Sequence, residues 1–180
     1  MNLDVGKDVA VFCGLVALAV GTRLLMIEPN FHAVTAAALF AGFYFRRRWT
    51  AACVPLIAMN ASDWVIGGYA REVMVVVYAS MLLPIAWRGL LRSRLTPARV
   101  VSTAAMSSIA FYLTTNAAVW HAASWYPRTA AGLAQCYYNA LPFLANALAG
   151  DVLFAGVLFG AYALVMRRGR VSQRQQALAA

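Results

Sequence analysis

Hydrophobic residues in this chain fall in long blocks that short charged or proline-containing stretches separate. The blocks cover approximately residues 9–27, 33–45, 51–69, 73–91, 98–120 and 142–166. Most approach or exceed the run of about 20 apolar residues with which a helix crosses a bilayer. The apolar residues fill each block instead of following one helical stripe, which is typical of membrane helices. We therefore predict an all-α membrane protein, a bundle of six transmembrane helices. We also expect Pro84 to kink the fourth helix, and Thr96 and Pro97 to form the cap and first turn of the fifth.

Two of these blocks leave alternatives open. The second, at 33–45, is short for a span, so it crosses only if the loop before it enters the membrane or the bilayer is locally thin. A re-entrant segment is the alternative. The first block contains Ala17-Leu18-Ala19, which resembles a signal-peptide cleavage site. Asp4, Asp8 and the apolar residues beyond that site favour a retained first helix.

Composition and charge support a membrane protein. Hydrophobic residues make up 63% of the 180 residues and charged residues 12%, about half the charged share of a soluble domain. The net charge of +9 does not indicate nucleic-acid binding, because most basic residues flank the hydrophobic blocks at the ends that six spans would place on one side of the membrane. This arrangement follows the positive-inside rule. With six spans and both termini cytoplasmic, the inner side holds Lys7, Arg46, Arg47, Arg48, Arg88, Arg92, Arg94, Arg99, Arg167, Arg168, Arg170 and Arg174.

The charge pattern also gives the expected domain organisation and location. We predict one transmembrane domain over residues 1–170 and a flexible cytoplasmic tail over residues 171–180. A multi-pass protein of the bacterial inner membrane, in contact with anionic lipid, fits the basic inner loops.

Polar residues inside the third block are the strongest indication of a site. Asn60 and Asp63 lie three positions apart in an apolar run, so on a helix they share a face. An ionisable side chain inside a span costs about 2.5–3.5 kcal/mol on insertion scales and therefore needs a partner, a cavity or a function. The alternative is that Asp63 caps a broken helix or hydrogen-bonds to a neighbouring span.

Further polar and aromatic residues fall near the same outer end of the predicted bundle. Tyr112, Asn116 and Trp120 are each four apart and share a face of the fifth span, although interhelical hydrogen bonding and an aromatic belt would explain them equally. The connection over residues 120–141 is long and aromatic, which indicates a short helix or a lid. We predict a ligand pocket at the extracytoplasmic side formed by Asn30, His32, Asn60, Asp63, Tyr112, Asn116, Trp120 and Asn146.

No catalytic, nucleotide-binding or metal-binding signature is present in the sequence. It has no GxSxG, HExxH or Walker motif, and its three cysteines form no CxxC pair. We therefore expect no metal site, no cofactor and no enzymatic activity. An intramembrane enzyme that uses Asp63 or His32 remains an alternative.

Small residues recur along the first block. Ala10, Gly14, Ala17 and Gly21 follow one another at spacings of four, three and four, which places them on one helix face. Small residues let two helices approach closely in lipid. This face is predicted to pack against another helix, either within the bundle or in a partner subunit.

Four sequence runs resemble those of a known family. They are EPNFHAVTAAALFAG at residues 28–42, PLIAMNASDW at 55–64, TTNAAVW at 114–120 and NALPFLANALAGD at 139–151. They resemble an uncharacterised family of small bacterial integral membrane proteins, itself similar to the substrate-binding S component of energy-coupling-factor (ECF) transporters. The resemblance in layout covers nearly the whole chain, but no motif of a thiamine, riboflavin or biotin binder is present.

The resemblance implies an S-component-like bundle that binds a small vitamin-like or precursor-like molecule. It also implies a coupling protein, which would meet the small-residue face of the first helix, and separate ATPase subunits. The function predicted from the sequence is therefore a substrate-binding or transport subunit. A structural or accessory subunit of a larger membrane complex is the alternative, and an intramembrane enzyme the third possibility.

Overall fold

The chain is helical throughout the part that the structure describes. This structure is a computed structural model that describes the backbone of residues 2–25, 28–68 and 70–179 and the side chains of residues 5–25, 28–68 and 70–168. No strand occurs among those residues. The predicted all-α class is confirmed.

Nine helical segments follow one another along the described chain. The first three are α1 (Asn2–Leu24), α2 (Val34–Tyr44) and α3 (Arg48–Ile66). The next three are α4 (Arg71–Ser80), α5 (Leu83–Ala86) and α6 (Arg88–Ser93), which together form one kinked rod. The last three are α7 (Pro97–Ala122), α8 (Ala130–Asn139) and α9 (Leu141–Ala179).

Three helical stretches of the described chain are long and apolar enough to cross a membrane. They are Val5–Leu24, Arg71–Ser93 and Leu141–Arg168. Each contains at least 20 residues, enough for about 30 Å of helix. These stretches give the chain the character of a membrane protein.

The centre of the bundle is α2. Val34 to Gly42 are all buried, and α2 contacts α1, α3, α5, α6, α7 and α9. A helix that is apolar on every side needs partners on every side, which explains its sequence. At Gly42 a Cβ atom would lie 3.0 Å from the Cα of Ile85, so the absence of a side chain permits the close approach of α5.

The α1–α2 connection enters the bundle, as the shortness of the second block required. With 11 residues, α2 is about 16 Å long, roughly half the hydrocarbon thickness of a bilayer. The preceding residues Phe31 and His32 contact Gly150, the tenth residue of α9, where a Cβ atom would lie 3.3 Å from a Phe31 ring carbon. The connection therefore continues the central layer beyond the end of α2.

The kinked rod binds the other end of α2. The rod is interrupted after Ser80 and again at Trp87, on either side of Pro84, which confirms the kink predicted there. Arg92 Nε donates to the Phe43 carbonyl at 2.8 Å, and Arg88 Nη2 donates to the Arg46 carbonyl at 2.9 Å. Guanidinium groups at a helix C-terminus satisfy its last carbonyls and complement its dipole.

Several helices begin or end at residues other than those predicted. Arg48 and Trp49 belong to the first turn of α3 and not to the loop before it. The backbone of α9 is helical to Ala179, beyond the predicted end of the sixth block at residue 166. Helix α7 begins at Pro97 with Thr96 as its N-cap, as predicted, because Thr96 Oγ1 accepts a hydrogen bond from the Arg99 amide at 3.3 Å.

Candidate functional site

A buried ion pair joins α1 to α3. Arg23 Nη1 lies 2.6 Å from Asp63 Oδ1, and the side chains are 14% and 6% exposed. Arg23 Nη1 also donates to Ser62 Oγ, and the Tyr78 hydroxyl donates to Asp63 Oδ2 at 2.8 Å. The partner that an intramembrane carboxylate requires is therefore Arg23, with Tyr78 adding a bond from α4. Together these contacts tie three helices near one end of the bundle.

The expected pairing of Asn60 with Asp63 on one polar wall is wrong. Asp63 is buried, but Asn60 is exposed on the outside of the bundle. The buried face of α3 follows pairs four residues apart, namely Val54–Pro55, Ala58–Met59 and Ser62–Asp63. Asn60 lies outside those pairs, because Asp63 is at the edge of the packed stripe and position 60 is about 60° further round the helix.

The α1–α2 connection carries a special backbone conformation. Asn30 has a φ of 63°, in the left-handed region that few side chains other than Asn and Asp adopt readily. Its neighbour Pro29 is held from α9, because Asn146 Nδ2 donates to the Pro29 carbonyl at 3.1 Å. A non-glycine residue in this region indicates a backbone held by its surroundings, which is common at binding sites. Asn30 is thereby fixed inside the bundle.

A first cavity of about 300 Å³ lies between α4, α7, α8 and α9 at the end where α7 finishes and α9 begins. Its wall combines aliphatic and aromatic side chains with amides. No lysine, arginine, aspartate, glutamate or histidine is among its described lining residues. Burial raises the pKa of the Cys136 thiol, so this wall residue is neutral as well. The polar and aromatic lining includes Asn30, Tyr112, Asn116, Trp125, Tyr126 and Asn139.

A second cavity of about 410 Å³ adjoins the first. Asn30, Val77 and Phe111 belong to both walls, but the second wall also contains Arg23 and His32. His32 Nδ1 is buried and has no hydrogen-bond partner among the described residues. Burial, together with the charge of Arg23, lowers the pKa of His32 from 6.5 to about 4, so its ring is neutral at pH 7.

The predicted short helix over the outer end is α8, and two tyrosines fasten it to α7. The Tyr112 hydroxyl donates to the Tyr137 carbonyl at 2.7 Å, and the Tyr137 hydroxyl donates to the Leu113 carbonyl at 2.7 Å. The two rings contact each other with centroids 5.4 Å apart. We call these two bonds the tyrosine clasp. It places Cys136 and Asn139 of α8 in the wall of the first cavity.

The first turn of α8 packs so closely on the loop before it that no side chain fits at Gly132. A Cβ atom there would lie 2.1 Å from the Pro127 carbonyl oxygen, which is already the acceptor for Trp120 Nε1 at 3.0 Å. The Gly132 amide donates to Thr129 Oγ1 at 3.1 Å, which caps α8. Trp120 therefore positions the loop and does not line either cavity.

The structure brings together only part of the predicted ligand site. Asn30, Tyr112 and Asn116 line the first cavity, and Asn30 and His32 line the second. The other four predicted residues have different positions. Asp63 is buried in the ion pair, Asn60 faces outward, Trp120 holds the loop before α8, and Asn146 holds the α1–α2 connection.

The small-residue face of α1 has no partner helix among the described residues. Ala10, Gly14, Ala17 and Gly21 are all exposed. Added Cβ atoms at Gly14 and Gly21 would meet nothing within 4 Å. Of the two alternatives for this face, packing within the bundle is excluded.

One buried carboxylate was not among the predicted site residues. Asp151 of α9 is 3% exposed and accepts a hydrogen bond from Ser108 Oγ at 2.6 Å, with a second side-chain bond from Thr35. Ser108 also lines the first cavity. Asp151 does not share a helix face with Asn146, but its position in an apolar helix was itself a signal of a buried polar contact.

The chain belongs to the family of unknown function DUF6580, whose model matches residues 4–175. No curated protein and no solved structure matches the chain.

Proposed function

We propose that this protein is a membrane-embedded subunit that captures a small molecule at its extracytoplasmic side. One observation carries the proposal: a cavity of about 300 Å³, walled by aromatic rings and amides, lies under a separate short helix. Apolar walls with a few convergent polar groups are typical of small-molecule sites. In this proposal α8 acts as a lid that closes over the ligand.

The positions of the basic residues support the proposed orientation. Arg46 and Arg47 lie between α2 and α3, Arg48 begins α3, and the second set, near the junction of α6 and α7, contains Arg88, Arg92, Arg94 and Arg99. Both sets are at the end of the bundle opposite the two cavities. Under the positive-inside rule this end faces the cytoplasm, so the cavities open to the outside of a bacterial inner membrane. Six crossings then require α2 and its preceding connection to act as one span.

A partner subunit is the second part of the proposal. The exposed face of Ala10, Gly14, Ala17 and Gly21 suits a closely packed helix of a membrane partner. By its resemblance to S components of ECF transporters, the chain would work with a coupling protein and ATPase subunits. An accessory subunit would use the same face but would need no ligand.

The test is ligand binding by the purified protein in detergent, measured by thermal stabilisation against a panel of vitamins and their precursors. We expect at least one compound to raise the unfolding temperature. Asn116→Ala should weaken the binding of that compound at least tenfold, because the Asn116 side chain lines the first cavity. The only hydrogen bond described for that side chain is to the Tyr112 carbonyl of its own helix. Asn60→Ala is the matched control, because Asn60 is exposed away from both cavities.

Two results would contradict the proposal. Stabilisation that Asn60→Ala abolishes and Asn116→Ala leaves intact would place the site elsewhere. A chain that binds nothing in the panel but purifies stably with an unrelated membrane complex would support the accessory alternative. Co-purification with an ATPase pair would support the transporter version.

A further inference from the structure

The two cavities lie side by side at the outer end of the bundle. They share Asn30, Val77 and Phe111, so these three side chains form the boundary between the cavities and not the outer wall of either one. Each volume, about 300 and 410 Å³, is within the range of about 300–1,000 Å³ usual for ligand pockets. An elongated ligand on a path between these three side chains would reach both cavities.

The two ends of this path differ in chemistry. The wall of the first cavity is aromatic and amide-bearing and has no charged residue among those described. The wall of the second cavity contains Arg23, Glu28 and His32. A ligand that matches both has a neutral, flat ring at one end and a polar, charged group at the other.

One edge of the Arg23 guanidinium can bind an anionic oxygen. Its described contacts to the Met59 carbonyl, Ser62 and Asp63 all start from Nη1. Nε and Nη2 have no hydrogen-bond partner among the described residues, and together they form the fork that binds a carboxylate through two parallel bonds. Because Asp63 already neutralises the guanidinium, Arg23 would act through these directed N–H groups more than through net charge.

The same wall offers partners for a cationic amine. Glu28 is an exposed carboxylate with no ion pair among the described residues, and the neutral ring of His32 has one nitrogen that can accept a hydrogen bond. A simple anion would be repelled by Glu28, and a simple amine would leave the Arg23 fork empty. A group that carries both charges satisfies both partners.

We propose that the two cavities form one site for an aromatic compound with a zwitterionic head group, its ring in the first cavity and its carboxylate and ammonium groups in the second. This inference rests on the proposed capture function and adds the substrate class. The carboxylate binds the free edge of Arg23, and the ammonium group binds Glu28 and His32.

Four probes with the same ring separate the contributions of the head group. Binding of L-tryptophan, tryptamine, indole-3-propionate and indole to the purified protein is measured by calorimetry or thermal stabilisation. We expect L-tryptophan to bind at least tenfold more tightly than each of the other three. Equal binding of tryptamine or of indole-3-propionate would overturn the zwitterion assignment.

Variants then test the residues. Arg23 also holds Asp63, so its replacement is expected to disturb folding, and Glu28→Gln is the better test. This substitution should weaken the binding of L-tryptophan and of tryptamine at least fivefold. The binding of indole-3-propionate should be unchanged or tighter. The matched control is Glu72→Gln on α4, which is exposed and outside the wall of either cavity. An equal effect of both substitutions on L-tryptophan binding would overturn the role of Glu28.

The outcomes also separate this inference from the capture function. If none of the four indole probes binds, but another compound binds in an Asn116-dependent way, the head-group assignment is wrong and the capture function stands. If no compound of either panel binds, both are wrong.

Discussion

At the scale of single residues, Asn30 combines two properties that are usually separate. Its backbone has a left-handed φ of 63°, and it lies between the two cavities. The first property concerns folding, because most side chains lose about 1–2 kcal/mol in this conformation. The second concerns binding. Two substitutions at this one position can separate them.

We expect Asn30→Gly to keep the stability of the protein, because glycine adopts positive φ freely, and to weaken ligand binding at least fivefold by removal of the amide. Asn30→Ala should lower the free energy of unfolding by about 1 kcal/mol as well, since alanine is strained there. Thermal unfolding in detergent measures the first effect and the dissociation constant of the captured ligand the second. If the Asn30→Gly variant binds the ligand as tightly as the unmodified protein, Asn30 is needed only for the left-handed backbone conformation and not for binding.

Other residues show how a buried polar group is accommodated. Asp63 is matched by Arg23 and Tyr78, and Asp151 by Ser108 and Thr35. A buried charge or acid without such partners costs several kcal/mol. The exposed Asn60 needs none of this support. Burial and partners, and not residue type alone, therefore distinguish the polar residues that organise the bundle from those that do not.

At the scale of elements, α8 is a short helix that only a few hydrogen bonds among the described residues attach to α7. Helix α8 is only 10 residues long, too short to be stable alone in water. Its described hydrogen bonds to α7 are the tyrosine clasp and a bond from Cys136 Sγ to the Asn116 carbonyl at 3.5 Å, and its first turn packs closely on the preceding loop at Gly132. An element held by few bonds over a cavity can open locally without unfolding of the rest.

We expect the double variant Tyr112→Phe with Tyr137→Phe to loosen α8. Each lost bond contributes about 1 kcal/mol, so the pair should increase the ligand dissociation rate roughly thirtyfold and change the global unfolding temperature only slightly. Hydrogen exchange over residues 123–140 should rise in parallel. Tyr138→Phe is the control, because Tyr138 is 74% exposed. Faster exchange without faster dissociation would show that α8 is not the lid.

At the scale of the whole molecule, the charge distribution predicts the orientation in the membrane. The cavities lie at the end that contains the aromatic connection before α8, and the opposite, basic end contains the arginines that bind carbonyls in and just after the last turn of α2. Because Lys and Arg are retained on the cytoplasmic side, the cavities should face outward.

Cysteine labelling in intact cells measures this orientation. After replacement of Cys13, Cys53 and Cys136, we expect a membrane-impermeant maleimide to label Ser124→Cys in intact cells. It should label Arg94→Cys only after permeabilisation. Both native residues are exposed and lie at opposite ends of the bundle. Labelling of Arg94→Cys in intact cells would reverse the topology and place the cavities on the cytoplasmic side.

Much of the fold could be predicted without the structure. Long apolar blocks predicted the helices, Pro84 predicted the break in the rod, and Thr96-Pro97 predicted the start of α7. The block at 33–45 was short enough to raise the alternative of a re-entrant segment, and the structure shows that the connection before it packs against α9. These predictions succeed because helix length, proline geometry and capping depend on residues near in sequence.

The arrangement of the site could be predicted only in part. Asn30, Tyr112 and Asn116 were correctly placed together, because all three are near the same ends of neighbouring helices. Asn60 was wrongly placed, and Asp151 was missed. Spacing along one helix gives the angle between two side chains, but the direction of the partner helix decides which of them is buried.

The sequence by itself therefore determined the helical membrane character, the basic end and the set of polar residues inside apolar segments, because each is a property of composition and local order. Only the tertiary structure decided that Arg23 is the partner of Asp63, that α2 is the centre of the bundle, and that two cavities meet at Asn30. These contacts join residues far apart in the chain. They depend on how closely each pair of helices can pack, which no single helix encodes.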